Sequence, residues 1–120
     1  MAFKLLPPRK RIRIAQVAPV VFPTPPVDAG GTERIVYDLT EALVALGHEV
    51  TLIAPSDSQT SARHLATLPS LSHWQRHHDN VPPGVPGVLE SLVLEQLRQH
   101  LDEFDIIHCH GEFCHSAVLG

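Results

Sequence analysis

The chain has 120 residues, 43% of them apolar and 18% charged, a balance that fits one small globular domain and not a disordered class. Its formal charge of -4, with no basic stripe carrying interleaved aromatics, argues against a nucleic-acid binder, because duplex binding relies on clustered Lys and Arg to neutralise phosphates. No apolar run is long enough to span a bilayer, and two cysteines are too few for a secreted disulfide framework, so free thiols and a cytoplasmic location are expected.

Residues 1–10 read as a basic, Pro-containing, flexible tail, with weak peripheral contact to an anionic membrane surface as the alternative for the cluster Arg9, Lys10, Arg11 and Arg13. Residues 11–120 read as the folded part. Arg11 to Ala18 begins with alternation and ends more apolar, as a strand entering a buried parallel sheet does. Pro19, Pro23, Pro25 and Pro26 then forbid helix and central strand, so residues 19–31 form a long loop, a kind that is uncommon in compact domains and often functional.

From Thr32 onward Ile35, Val36, Leu39, Leu43 and Leu46 recur at three- and four-residue steps, predicting a helix with these residues on its buried face. Arg34 and Asp38 are spaced to pair across one turn, and Gly47 ends the helix. Glu49 to Ala54 is a β-branched strand closed by Pro55. Residues 56–87 carry weaker signals: a short third strand within Ala66 to Leu71, then His73, His77 and His78 in a solvated loop. After Pro86-Gly87 the positions Leu89, Leu92, Val93, Leu97 and Leu101 predict a second helix. Asp105 to His110 reads as another buried strand, with Gly111-Glu112-Phe113 as the turn after it.

The alternation of strands and helices predicts an α/β fold, a Rossmann-like open parallel sheet with helices on both faces and right-handed crossovers. In such a sheet the chain winds outward from a central strand and then returns to its other side, opening a crevice at the carboxyl ends of the strands where the direction reverses. If the strand ending at His110 lies beside the first strand, Gly30-Gly31 and His110-Gly111-Glu112 border that crevice although about eighty positions separate them.

The run Asp28-Ala29-Gly30-Gly31-Thr32-Glu33-Arg34 stands between strand and helix, where free backbone N–H groups and the positive end of the helix dipole favour phosphate. Gly30 and Gly31 let the backbone approach a ligand, and Thr32 adds a hydroxyl; the same residues also suit a plain turn with Thr32 as N-cap. Neither G-x-G-x-x-G nor a P-loop is present. His108 and His110 lie two apart and share one face of the strand, His108 read as a neutral core imidazole and His110 as a crevice residue able to bind a hydroxyl or exchange a proton. A metal site joining them to Glu112, Cys114 or His115 would straddle a strand end and a turn, so no metal is expected.

Arg13 to Pro19, Gly30-Gly31-Thr32-Glu33-Arg34, Gly47 to Leu52 and Asp105 to His110, in this order and spacing, resemble the N-terminal domain of glycosyltransferase family 4. The resemblance implies retaining enzymes of the two-domain GT-B fold that take a nucleoside-diphosphate sugar as donor and require no cofactor. It implies that Gly30, Gly31 and Thr32 approach the donor diphosphate, and that His110, Gly111 and Glu112 face the acceptor, with His110 the catalytic candidate. It further implies that the groups holding the nucleotide ribose lie on a second domain beyond Gly120. The chain is therefore expected to be inactive alone and to self-associate through an exposed sheet edge. Two other readings are a non-catalytic Rossmann-like binding or interaction module and a small His-based metalloprotein.

Overall fold

In the computed structural model, which describes residues 10–111, the elements run β1 (Arg13–Val17), α1 (Gly31–Ala45), β2 (Glu49–Ala54), β3 (Arg63–Ala66), α2 (Leu71–His77), α3 (Val85–Gln99), a 3-10 turn at Leu101–Glu103 and β4 (Ile106–Cys109). The four strands form one parallel sheet in the order β3-β2-β1-β4. The fold is α/β and Rossmann-like, as the pattern of elements predicts. Ile14 stands in register with Val50 on one side and Ile106 on the other, so β1 and β2 are central strands. Both are apolar runs buried almost end to end, because helices cover both their faces.

The two faces are divided by residue parity. Ala15, Val17 and Ile53 pack against Leu89, Val93 and Leu97 of α3, while Ala18, Leu52 and Ala54 pack with Val36 of α1. The chain steps from β1 over α1 to β2 in one direction and returns from β3 over α2 and α3 to β4 in the other, which places α1 and α3 on opposite faces when both crossovers are right-handed.

Helix α1 begins at Gly31, with Gly30 as its N-cap at a φ of 122° and no side-chain cap, so Thr32 is not the N-cap. Its buried residues are Glu33, Val36 and Thr40, whereas Ile35 is 63% exposed. The apolar stripe through Ile35 is thus rotated away from the sheet: Val36 belongs to two neighbouring stripes, and packing on Leu52 and Ala54 selected the other one. Arg34 donates to the carbonyl of Pro26 at 3.2 Å and not to Asp38, tying the helix to the preceding loop. That loop is packed, with Val20, Pro23, Thr24 and Pro26 buried. The Thr24 N–H donates to Ser58 Oγ at 2.9 Å and its carbonyl accepts from the Gln59 N–H at 2.7 Å.

The weakly patterned middle differs from its sequence reading. The third strand is Arg63–Ala66, earlier than expected, fixed by pairing of Leu65 with Ile53. His73 and His77 lie in α2, not in a loop. A long-range cap makes that helix: Ser70 Oγ accepts from the His73 N–H, and the Asp57 carboxylate accepts from both the Ser70 N–H (2.8 Å) and its hydroxyl (2.7 Å). Trp74 Nε1 donates to the Pro69 carbonyl at 2.9 Å.

Strand β4 is half-covered and not fully buried, with Ile106 and His108 exposed and Ile107 and Cys109 turned toward α3. His108 is therefore a surface imidazole and not a core one, because the side of β4 that it shares with Gln16 has no helix over it among the described residues. A bidentate pair fastens the start of β4 to β1, with Arg13 Nη2 2.9 Å from Asp105 Oδ1 and Arg13 Nε 3.3 Å from Oδ2. These hydrogen bonds hold the Asp105 carboxyl below its ordinary range.

Candidate functional site at the switch point

The carboxyl ends of β1 and β4 open onto a cleft of about 890 Å³. Four segments line it: Pro19 to Phe22 after β1, Gly30 to Glu33 at the mouth of α1, Pro86 to Leu94 along the first half of α3, and His110 with Gly111 after β4. Small-molecule sites have this size and occur at this place in open parallel sheets. Residues about eighty positions apart in sequence are brought into one cleft because β4 returns to the free side of β1.

At the α1 mouth the two glycines have different tasks. Gly30 at φ 122° is in a region that side chains rarely adopt, and a Cβ there would meet Pro26 Cβ at 3.0 Å and Phe22 Cδ2 at 3.1 Å. At Gly31 a Cβ would meet nothing within 4 Å, so its backbone is open to the cleft. The first intrahelical bond runs from the Arg34 N–H to the Gly30 carbonyl at 3.0 Å. The N–H groups of Gly31, Thr32 and Glu33 precede it and carry no intrahelical bond, which leaves three donors at the positive end of the dipole. Glu33 adds a carboxylate to the lining and is only 4% exposed.

At the β4 end the backbone N–H of His110 donates to the Val17 carbonyl at 2.9 Å, extending the ladder one step past the strand. The ring is half-buried, stacks on His108 with centroids 4.0 Å apart, and places Nε2 3.0 Å from Gln16 Oε1. Burial, helped by the neighbouring His108, pushes its pKa down to about 4, so the imidazole is neutral near pH 7. A Cβ on Gly111 would meet Glu90 Oε1 at 2.9 Å, so the glycine lets the α3 carboxylate approach.

Gly30, Gly31, Thr32, His110 and Gly111 therefore border one space, whereas Glu112, Cys114 and His115 lie outside the described residues. Cys109 is disulfide-bonded, which corrects the expectation of free thiols. Among the described residues no group of three or more His, Cys, Asp or Glu side chains could hold a metal ion. His73 and His77 stack on α2 with centroids 4.4 Å apart.

Sequence reasoning missed Gln16, Phe22, Glu33, Glu90 and Ser91. Gln16 had a usable signal, a single amide in the middle of a buried apolar strand. Glu33 was hidden because the stripe read through Ile35, Val36, Leu39, Leu43 and Leu46 does not include it, and Glu90 and Ser91 because nothing in α3 announces which of its ends meets the loop after β1.

The sequence profile of glycosyltransferase family 4 matches residues 29–119, from the residue before the glycine pair to beyond the end of β4. The chain belongs to glycosyltransferase family 4. A family 4 domain implies a transferase that takes its sugar from a nucleotide-sugar donor and passes it to an acceptor. No curated protein sequence matches the chain at a significant level. Among the described residues no helix is long and apolar enough to cross a membrane.

Proposed function

We propose that this family 4 domain forms the acceptor side of a retaining glycosyl transfer. The donor diphosphate rests at Gly30, Gly31 and Thr32, and the acceptor hydroxyl meets His110, Gly111 and Glu112. One observation carries the reading: the amide donors of the α1 mouth and the neutral imidazole of His110 line the same cleft. In the reaction the bond from the anomeric carbon to the donor phosphate oxygen breaks, and a bond from that carbon to the acceptor oxygen forms. The hydroxyl proton leaves for the departing phosphate or for His110, and charge developing on the diphosphate is met by fixed backbone N–H groups. Attack from the face of the departing phosphate accounts for retention.

The sugar ring and nucleotide ribose require positioning over this cleft by a second domain, and positioning accounts for much of a transferase's rate. The cleft accordingly binds a nucleoside diphosphate at the α1 mouth. Calorimetric titration of the chain with nucleoside diphosphates and their sugars tests the reading. Saturable binding that Gly31→Val weakens about tenfold or more, equivalent to ~1.4 kcal/mol, supports it. Heats that do not saturate, or binding indifferent to that substitution, contradict it.

A further inference from the structure

Gln16 has no exposed surface and stands in register between Leu52 of β2 and His108 of β4. Burying an amide among apolar side chains is costly unless its polar atoms find partners. Its Nε2 has none among the described residues, and its Oε1 has one, the Nε2 of His110 at 3.0 Å. A methionine would fill nearly the same space with no unpaired N–H. The amide is therefore placed where it weakens the core, and its one return is a bond to the ring that borders the cleft.

An amide oxygen only accepts, so the imidazole nitrogen facing it must carry the hydrogen. A neutral imidazole with its proton on Nε2 has its lone pair on Nδ1. We propose that Gln16 is a positioning residue that holds His110 as the Nε2–H tautomer, so that His110 serves the cleft as a hydrogen-bond acceptor at Nδ1 and takes the proton side of a ligand hydroxyl. This rests on the acceptor-side reading above for the ligand, but the tautomer itself does not. The backbone bond from His110 to Val17 and the stack on His108 fix where the ring lies, and neither fixes which nitrogen is protonated.

Long-range proton–nitrogen correlation on the nitrogen-15-labelled chain near pH 7 reads the tautomer directly. The proposal expects a pyrrole-type shift at His110 Nε2 and a pyridine-type shift at Nδ1. Gln16→Met should move both shifts toward the average of mixed tautomers with the melting temperature unchanged or raised. A wild-type ring protonated on Nδ1 overturns the proposal whether or not any variant folds, as do unchanged shifts in a folded Gln16→Met protein. Adding a nucleoside diphosphate to the same sample separates the two ideas: an Nε2–H ring in a chain that ignores the nucleotide supports the role of Gln16 and removes the function proposed for the cleft.

Discussion

Gly30 and Gly31 are adjacent in sequence, yet the same methyl group has opposite consequences at the two positions. At Gly30 it meets positive φ together with the loop atoms of Phe22 and Pro26, so Gly30→Ala should cost about 1–3 kcal/mol of stability. At Gly31 it points into open space, so Gly31→Ala should change stability by less than about 0.5 kcal/mol while still lowering diphosphate affinity. Denaturant unfolding and calorimetry on the pair measure both. His110 gives a second residue-level prediction. With its folded pKa near 4, below the ordinary value of 6.5, the unfolded chain binds the extra proton first, so stability should fall as pH drops from about 6.5 to about 4 and level off below that for this group. His110→Gln should flatten the slope in that window. The carboxylates whose pKa values are lowered, Glu41 by hydrogen bonds from Ser61 and Thr60 that outweigh its burial, Glu95 chiefly by Arg98 and Asp105 chiefly by Arg13, lose their contributions at lower pH, below the ordinary carboxylate range.

Among the elements, α3 carries the larger share of the core. Leu97 is fully buried within the cluster formed with Ala15, Val17 and Ile53, so Leu97→Ala should cost about 2–5 kcal/mol in urea unfolding, against about 1–3 kcal/mol for Ser70→Ala, which removes the cap of α2 together with the hydroxyl's bond to Asp57. These same elements show why legibility was uneven. The spacing predicts α3 and its buried Leu89, Val93 and Leu97, whereas Leu92, read onto the same stripe, is 37% exposed and Leu101 lies past the helix in the 3-10 turn. In α1 the apolar residues form two overlapping stripes, and only the sheet against which Val36 packs decides between them. Helix α2 is seven residues long, and its start is fixed by Asp57, thirteen positions before Ser70, a link that no local pattern contains. The site followed the same rule. Gly30, Gly31 and His110 were legible because strand order and helix electrostatics predict a shared crevice, while Glu33 and Glu90 line it through packing, and Gln16 lies buried behind it against His110.

For the molecule as a whole, strand order is the property from which both the cleft and a liability arise. Returning β4 to the free side of β1 creates the switch point, and among the described residues it leaves β4 paired on one side only, with Ile106 48% exposed. An unprotected strand edge with an apolar side chain invites pairing with a second chain. Size-exclusion elution should therefore shift with concentration, and Ile106→Lys should suppress the shift; a monomer at every concentration would count against this. The central proposal is that the N–H groups of the α1 mouth hold the donor diphosphate in the same cleft that the His110 end of β4 borders on its acceptor side. Following backbone amide resonances while a nucleoside diphosphate is added tests it most directly. The account predicts saturable shifts at Gly31, Thr32 and Glu33 together with His110 and Gly111, all with one dissociation constant; shifts confined to another surface, or none that saturate, would contradict it.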